Sequence, residues 1–395
     1  MALEHPELPP PLAGVRVLDL TRLLPGPLCT LHLADMGADV IKIEDPVHGD
    51  YARDLSGDGG SDGSLFLALN RNKRGLRLDL KSPQGPSVLR RLVRSSDVVV
   101  EGFRPGVVDR LGVGYEALRG ENTAIVYCAI SGYGQTGPYR DRAGHDINYC
   151  GYAGVLDQIG SAGGTPVIPN FQIGDIVGGA LSAAIGILAA LVAAKTQGQG
   201  RYVDISMTDC LLANAVMPLS TLGDSGKAPM RGEDLLSGGV PCYSVYATRD
   251  GRFLAVGALE PKFWHRLCDA LQRPDLRRGQ LDTGVRGDTV RSALADVFLT
   301  RDRDEWAAYL APLDCCVTPV LSVAESLDNE QVQQRGLVNR RVGGGVEIAG
   351  PIRFGNTARP ANTPAPERGQ DTDAILQEAG LDPAAIKRLR DDGVI

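Results

Sequence analysis

Basic side chains are too few for this protein of 395 residues to bind along nucleic acid: 41 Lys and Arg face 48 Asp and Glu, and the formal net charge is −7. Binding of that kind takes its affinity from many Lys and Arg contacts to phosphates. We therefore expect no nucleic-acid partner. A local basic pocket is still compatible with this charge balance.

Two familiar motifs are also missing. The eight cysteines are scattered without a CxxC spacing, and most lie in apolar runs such as IVYCAI, so we interpret them as buried, reduced thiols and predict no metal site. The turn after the first predicted strand reads TRLLPGP and lacks GxGxxG, the fingerprint of dinucleotide binding. The sequence therefore predicts neither a nicotinamide nor a flavin cofactor.

Signals for export and for membrane insertion are weak. The N-terminal MALEHPELPPPLAG carries acidic residues and prolines where a signal peptide needs a basic start and an apolar stretch. Residues 176–194 are uncharged and long enough to span a bilayer, but their Gly, Ala and Ser content is typical of a helix inside a protein core. Since the sequence also ends without SKL, we expect a cytoplasmic protein that does not enter a membrane.

Short β-rich runs alternate with helical runs in the first third of the sequence, which indicates an α/β fold with a parallel sheet and crossover helices. The predicted strands are 15–20, 38–44, 76–80, 97–103 and 123–130. The pattern changes near residue 225, after which CYSVYAT and RFLAVGA flank Asp250 and Gly251 as a predicted β-hairpin. We predict a large domain over 1–224 and a smaller α+β domain over 225–330.

Titratable groups occur at three predicted helix starts. These are His145 with Asp146, Asp175 before the long apolar run, and Glu260 before the helix PKFWHRLCDAL. A helix start has unpaired backbone N–H groups, so an acid there is either a helix cap or part of an anion site. Asp175 precedes a helix too apolar to be exposed, and the glycines after it would let a ligand approach the backbone. If the fold brings the three starts together, they form a proton-transfer set.

Basic residues follow the predicted strands, where α/β proteins bind ligands and where Lys and Arg can hold phosphates. The candidates are Arg53, Lys73, Arg74, Lys81 and Arg104. The alternative interpretation is an ordinary solvated loop. Arg104, between Phe and Pro-Gly in EGFRPG, fits that alternative least well.

Several motifs, in order along nearly the whole sequence, resemble the α-methylacyl-CoA racemase branch of the family III CoA-transferase superfamily. They are LAGVRVLDLTRLLPGPLCTLHLADMGADVIKIE, EGFRPGVVDRLGVGY, SGYGQTGPY, AGHDINY, GDIVGGAL, GGVPCYSVYATRDGRFLAVGALEPKFW and DCCVTPVL. The resemblance implies a Rossmann-like, CoA-binding large domain, a smaller domain, a C-terminal segment over 331–395 that returns to the large domain, and an interlocked homodimer.

The resemblance also implies roles for the candidate residues. The racemase motifs supply a histidine, an aspartate and a glutamate at the positions of His145, Asp175 and Glu260. They imply inversion of the α-carbon of 2-methyl-branched acyl-CoA thioesters through an enolate. The N–H of Asp146, at a predicted helix start, is our candidate for the donor to the enolate oxygen. The active site would lie between two chains, with Glu260 beside the partner subunit's His145. The five basic candidates would lie near CoA phosphates, and CoA is part of the substrate, so no cofactor is expected.

Two other functions remain open. In the transferase branch, the aspartate at the position of Asp175 attacks the acyl-CoA and forms a mixed anhydride. That chemistry needs no facing base, whereas inversion at carbon requires one group on each face, so His145 favours the racemase. A CoA-binding scaffold is the third reading. The acyl group is equally open: a methyl-branched fatty chain, a bile-acid-like side chain, an arylpropionyl group or a short branched acid.

Overall fold

Six parallel strands form the main sheet of the protein, in the order β3-β2-β1-β4-β5-β6. The computed structural model describes residues 7–55, 62–340, 345–358, 360 and 362–395. The strands are β1 Arg16–Asp19, β2 Asp39–Glu44, β3 Lys73–Arg77, β4 Val98–Glu101, β5 Val126–Ser131 and β6 Tyr202–Ser206. This order is that of a doubly wound Rossmann sheet. The predicted α/β fold with a parallel sheet is confirmed.

Helices cover both faces of this sheet, which is why strands such as VVVE and VIKIE are buried along their length. The helices that accompany it are α1 Pro25–Asp35, α2 Ser64–Asn70, α3 Gly85–Val93, α4 Val107–Arg110, α5 Tyr115–Arg119, α6 Asp146–Tyr152, α7 Ser182–Gln197 and α8 Met207–Asn214. A 3-10 turn, Tyr51–Arg53, follows β2, and a π-helix, Gly174–Leu181, runs directly into α7.

Two local predictions need correction. The third strand was expected over 76–80 but spans Lys73–Arg77, because it pairs in parallel register with Val40 to Glu44 of β2. The apolar run before Lys195 forms a π-helix followed by an α-helix, and Asp175 lies in the first π-turn and does not precede the helix. The strand β6 was not predicted at all. Its pairing with β5 completes the sheet edge.

The chain divides into two compact units within the described residues. The first comprises Met1–Ala153, Asn170–Asn214 and Gln334–Ile395, and the second comprises Gly154–Pro169 and Ala215–Gln333. Residues 154–169, which the sequence places in the large domain, thus belong to the second unit. The predicted boundaries at 224 and 330 stay a prediction.

The second unit contains a three-stranded antiparallel sheet packed against helices. Its elements are 3-10 turn Leu156–Gln158, α9 Val216–Ser225, β7 Tyr243–Ala247, β8 Phe253–Gly257, α10 Pro261–Ala270, 3-10 turn Pro274–Gly279, α11 Gly284–Phe298, α12 Arg303–Leu310, 3-10 turn Ala311–Leu313, β9 Val317–Pro319, α13 Val323–Leu327 and α14 Glu330–Gln334. The strands β7 and β8 form the predicted hairpin, and Gly251 supplies the positive φ of 72° in its turn. Trp264 and Phe298 are fully buried in the core of this unit.

The C-terminal segment completes the first unit. It consists of the antiparallel strands β10 Val338–Arg340 and β11 Val346–Ile348, followed by α15 Thr372–Glu378 and α16 Pro383–Asp391. Leu376 and Leu389 of these helices join Leu89 of α3 and Leu18 of β1 in one apolar core.

Two expectations from composition can be compared with the structure. One helical stretch, Gly174–Gln197, is long and apolar enough to cross a membrane, judged by length and composition only, a test that a core helix also passes. All eight cysteines are free thiols. The expectation that they are buried fails for Cys316, which is exposed, and for Cys210, which is partly exposed.

Candidate active site

Two carboxylates meet where α6 begins. The backbone N–H of Asp175, in the first turn of the π-helix, donates to Oδ1 of Asp146 over 2.9 Å, and Asp146 is the first residue of α6. Gly174 makes this approach possible, because a Cβ added there would lie only 2.9 Å from Oδ1 and 3.2 Å from the carbonyl oxygen of Asp146. The fold therefore joins two helix starts that are 29 residues apart in the sequence.

The environment of Asp175 alters its acidity. Burial, followed by the charge of Asp146, raises the pKa of Asp175 from 3.8 to about 7. A carboxyl group with this pKa is present in both its protonated and its ionised form near neutral pH. A group that must both donate and accept a proton needs both forms. Asp175 is thus the titratable group whose surroundings fit proton transfer best.

The glycines that follow Asp175 serve the protein core. A Cβ at Gly178 would lie 2.6 Å from the carbonyl oxygen of Met207, and one at Gly179 would lie 2.7 Å from the Cβ of Pro25. They let α8 and α1 pack closely against the π-helix. The expectation that they admit a ligand is wrong for these two positions, since protein atoms already occupy that space.

His145 caps α6 and is exposed. Its backbone N–H donates to Oδ1 of Asn148 over 3.0 Å, and its carbonyl oxygen accepts from the backbone N–H of Asn148 over 2.8 Å. The side chain is directly adjacent in sequence to Asp146, whose carboxylate holds Asp175. The structure therefore brings His145, Asp146 and Asp175 to the same region of the first unit.

Tyr149 supports the backbone before His145. Its hydroxyl donates to the carbonyl oxygen of Gly144 over 2.5 Å, and Gly132 and Gly144 leave room for its ring, since a Cβ at either would lie within 3 Å of it. Burial, then the charge of Asp175, raises the pKa of Tyr149, whereas the charge of Arg104 lowers it. The hydroxyl is therefore neutral at physiological pH and acts as a donor. The sequence did not single out this residue.

Glu260 lies in the second unit, as the residue that caps α10 before Pro261. Its backbone φ and ψ of −79° and 139° are those of a helix cap, as the sequence predicts. The side chain is exposed and lies near Cys316, where burial first and the charge of Glu260 second raise the pKa of that thiol. The pairing of Glu260 with His145 stays a prediction.

Three of the five phosphate-binding candidates are bound by the protein itself. Arg53 is buried. It donates to both carboxylate oxygens of Glu44 over 2.9 and 2.6 Å and forms an ion pair with Asp62 over 2.6 Å. Lys73 is buried against Asp19 and two further oxygens. Arg74 is part-buried between Asp39 and Glu378. Their donors are engaged, so these three residues give little support to a phosphate site. A basic run in a sequence does not show which of its members fold inward.

Lys81 and Arg104 are exposed and available. Lys81 lines a pocket whose walls come from the ends of β1, β2, β3 and β4; the lining residues are Leu20, Arg22, Ile43, Asp45, Leu78, Asp79, Leu80, Lys81, Phe103 and Leu111. In this strand order the direction of winding reverses between β1 and β4, and such a switch point is where doubly wound sheets bind ligands. Arg22, in the TRLLPGP turn, was not predicted as a site residue; its guanidinium carbon lies 5.3 Å from the Tyr51 ring centre and 5.5 Å from that of Phe103.

A buried ionic network holds the TRLLPGP turn. Lys42, inside β2, donates to Oδ2 of Asp50 over 2.8 Å and to the carbonyl oxygen of Thr21 over 2.7 Å, and both charged side chains are fully buried. Oδ1 of Asp50 accepts from the N–H of Leu23, which has a positive φ of 63°. Positive φ is strained for leucine, so the turn depends on these bonds.

A further buried acid holds the loop that carries Arg104. Oε2 of Glu101, at the end of β4, accepts from the backbone N–H of Phe103 over 2.6 Å. Burial first, and then the charges of Asp109 and Asp204, raise the pKa of Glu101 to about 8 against the opposing effect of the hydrogen bond from Phe103. Glu101 is thus mainly protonated at neutral pH.

No group of three or more His, Cys, Asp or Glu side chains could hold a metal ion in the part of the chain that the structure describes. The side chains of His145 and Asp175 are of types that can transfer a proton, and a carboxylate such as that of Asp175 can also act as a nucleophile.

Known proteins resemble this chain along most of its length. The model of CoA-transferase family III matches residues 12–372. The human α-methylacyl-CoA racemase is 36% identical over 392 residues, 97% of each chain. A succinate–glutarate CoA-transferase of Agrobacterium fabrum is 34% identical over 395 residues, which are 95% of this chain and 97% of the relative.

Solved structures agree with these matches. A CaiB/BaiF family protein from Brucella suis superposes with a TM-score of 0.82 at 29% identity, covering 94% of this chain and 100% of that one. A hypothetical protein from Mycobacterium tuberculosis gives a TM-score of 0.80 at 27% identity, with coverage of 94% and 100%.

Proposed function

Because the chain belongs to CoA-transferase family III, we propose that it is a racemase that inverts the α-carbon of 2-methyl-branched acyl-CoA thioesters. The observation that carries the proposal is the contact at the start of α6: the carboxylate of Asp146, the residue after His145, accepts the backbone N–H of Asp175 over 2.9 Å, and burial and the charge of Asp146 raise the pKa of Asp175 to about 7. Racemases are also among the close relatives, at 36% and 35% identity for the human and mouse proteins.

The proposed reaction replaces the proton on the α-carbon by another proton on its opposite face. The thioester acidifies the α-proton because the electron pair left on carbon is delocalised onto the thioester oxygen. His145 and Asp175 face opposite sides of the α-carbon; one takes the proton from the substrate, and the other gives a proton to the opposite face of the enolate. Their roles exchange for the other enantiomer, and no redox or metal chemistry is needed.

The enolate oxygen requires a hydrogen-bond donor. The N–H of Asp146 is the first of α6, and the helix offers such a group no acceptor of its own. Losing one oxyanion donor typically costs about 2.7 to 4 kcal/mol of transition-state stabilisation. Asp146 thus has two roles in the proposal: its amide binds the enolate oxygen, and its carboxylate holds Asp175.

The CoA part of the substrate would bind at the switch point of the sheet. Lys81 and Arg22 line that pocket, and Phe103 offers a ring against which a base can stack. Arg104 follows Phe103 directly, and its charge lowers the pKa of Tyr149, which supports a position of Arg104 near α6. These residues support CoA binding better than Arg53, Lys73 or Arg74.

A homodimer is part of the proposal, with Glu260 supplied across the subunit interface to orient the partner subunit's His145. The helix α7 supports a partner chain, because its large apolar side chains Ile185 and Val192 are 70% and 65% exposed. Light scattering on the purified protein tests the dimer. Monomers at micromolar concentration would contradict it.

CoA transfer is the second candidate, because Asp175 is also suited to nucleophilic attack and a transferase relative is 34% identical. Its carboxylate would form a mixed anhydride with the acyl group as CoA leaves. Transfer would require a free carboxylic acid as acceptor, and hydroxylamine would trap the acyl group on Asp175.

Chiral chromatography of a pure enantiomer of a 2-methylacyl-CoA tests the racemase directly. We expect conversion to a mixture of both enantiomers without an added acceptor. Conversion that occurs only with an acceptor acid, together with a trapped acyl group on Asp175, would favour the transferase.

A further inference from the structure

We infer that a cavity of about 820 Å³ beside the edge strand β3 binds a phosphate-bearing anion. Three arginines line it, Arg77, Arg368 and Arg390. None of its lining residues belongs to the pocket of Arg22 and Lys81 at the switch point of the sheet. It is therefore a separate basic cavity in the first unit.

Arg77, which lines this cavity, has a buried donor without a partner. It ends β3, is partly buried, and donates from Nη2 to the carbonyl oxygen of Pro46 over 3.2 Å. Its Nε is buried and has no hydrogen-bond acceptor among the described residues. A buried donor without a partner destabilises the fold, and does so more when it is charged. Such a group marks a place where an ion or a water molecule completes the structure.

Arg368 approaches the same cavity from the C-terminal segment. It is partly buried and donates from Nη1 to the carbonyl oxygen of Val47 over 3.2 Å. Gly49, with φ of 61°, leaves it room, because a Cβ there would lie 3.1 Å from Nε of Arg368. The two guanidinium groups are thus held by the carbonyls of consecutive residues.

Neither of these two charges is neutralised by an ion pair within the described ranges. Glu44, opposite Arg77 in the neighbouring strand, is already bound through both oxygens by Arg53. Arg390, by contrast, is paired with Asp373. Arg77 and Arg368 therefore bring positive charge to the cavity wall that no ion pair to a described side chain offsets.

The position of Arg77 is fixed by the protein. A Cβ at Gly369, which has φ of 72°, would lie only 2.4 Å from Cγ and Cδ of Arg77, so this glycine lets the arginine stem pass beneath the chain. The N–H of Arg77 donates to Oγ1 of Thr372 over 3.2 Å, and that hydroxyl donates to the carbonyl oxygen of Gly369 over 2.8 Å. A preorganised guanidinium binds a tetrahedral anion at a lower entropic cost than a free surface arginine.

Phosphate is the chemistry that two such groups recognise, because the guanidinium fork matches two phosphate oxygens. The phosphate can come from two sources. One is a free phosphorylated metabolite. The other, which depends on the proposed function, is the 3′-phosphate of CoA, since the turn over 45–49 borders both cavities through Asp45 on one side and Pro46 and Val47 on the other.

Calorimetric titration of the full chain with sodium pyrophosphate, at constant ionic strength, tests the site without any catalysis. We expect wild-type binding to weaken at least tenfold in Arg77→Gln and in Arg368→Gln. Arg91→Gln is the matched control, because Arg91 also donates to two backbone carbonyls but lines another cavity. The affinity of this variant for pyrophosphate should equal that of the wild type. Circular dichroism verifies folding, and Arg77→Lys, which keeps the charge, should bind more tightly than Arg77→Gln.

A second titration identifies the source by comparing CoA with 3′-dephospho-CoA. If the 3′-phosphate occupies the cavity, the wild type prefers CoA and both glutamine variants lose the preference. If a free phosphorylated metabolite occupies the cavity, the two glutamine variants weaken pyrophosphate binding and leave the preference for CoA unchanged. The inference is overturned if neither pyrophosphate affinity nor the CoA preference changes in these variants. Pyrophosphate binding does not require racemase activity. A result against the proposed function would therefore leave the phosphate site standing, and a result against the phosphate site would leave the proposed function standing.

Discussion

Replacing Asp146 with asparagine should lower the pKa of Asp175. The asparagine keeps an oxygen that can accept the N–H of Asp175 over 2.9 Å, but it removes the negative charge that raises the pKa of Asp175 after burial. Two unit charges roughly 5 Å apart repel by about 3 kcal/mol at an effective dielectric constant of 20, equivalent to about 2 pKa units. Solvent reaches part of this site, so we expect about one unit.

The assay is the pH dependence of kcat/KM for racemisation of each enantiomer. In the direction that uses Asp175 as the base, activity requires its ionised form, so the acidic limb should move down by about one pH unit in Asp146→Asn. Asp141→Asn is the control, because Asp141 is an exposed acid close in sequence whose removal changes the net charge equally. An unchanged limb, or a shift to higher pH, would refute the coupling of the two carboxylates.

Four further variants give results that can be measured independently. Asp175→Asn should abolish racemisation. It should also raise the free energy of unfolding above pH 7 by up to about 4 kcal/mol, because the wild-type folded state binds an extra proton between pH 3.8 and about 7 and the stability that this proton gives is lost as the pH rises through this window. Urea titration at pH 5 and pH 8 measures the difference between variant and wild type, and equal stabilisation at both pH values would contradict the pKa shift. His145→Ala should reduce racemisation about 10² to 10⁴-fold, measured by chiral chromatography, because one of the two acid–base groups is lost; full activity would exclude His145 from the reaction. Glu101→Gln should match the wild-type melting temperature at pH 4 and exceed it by a growing margin as the pH rises to about 8, because glutamate ionises in the unfolded chain from pH 4.5 whereas the buried carboxyl, with its pKa of about 8, does not; an equal difference at pH 4 and pH 9 would oppose this. Lys42→Met should cost about 3 to 5 kcal/mol in urea unfolding because Asp50 is left buried without its partner, whereas Lys387→Met, in an exposed pair, should cost about 0.5 kcal/mol or less.

The parallel sheet was predictable because its cause is local. Runs of valine and isoleucine such as VVVE and VIKIE favour strands wherever they occur, and helical runs between them leave few other topologies. The bounds of β3 were not predictable in the same way. The register of β3 is set by its pairing with β2, which places Lys73 and Arg74 within the sheet. The sequence pattern predicted them to lie in a basic loop.

The candidate site was predictable only in parts. His145 and Glu260 were recognised as helix starts because capping is a property of neighbouring residues. The contact between Asp146 and Asp175 depends on how α6 and the π-helix pack, and no local pattern encodes it. The same holds for Tyr149, which reads as an ordinary helix residue until Gly132 and Gly144 are seen to accommodate its ring.

Burial of charge is the property that sequence patterns conveyed least well. Lys42 stands in a β-strand pattern where its charge predicts exposure, yet its pairing with Asp50 lets it lie fully inside the fold. Arg53 is similar, since Glu44 and Asp62 neutralise it. In both cases the partner that makes burial tolerable is assigned by the tertiary fold.

Incorporation of solvent deuterium at the α-carbon tests the central claim most directly. Each pure enantiomer of a 2-methylacyl-CoA is incubated with the enzyme in heavy water, without any carboxylic acid acceptor, and the product is analysed by mass spectrometry and chiral chromatography. The account predicts that both enantiomers gain α-deuterium as they invert, and that Asp175→Asn and His145→Ala each prevent inversion. Inversion without deuterium, or no exchange for either enantiomer over a series of acyl groups, would contradict it.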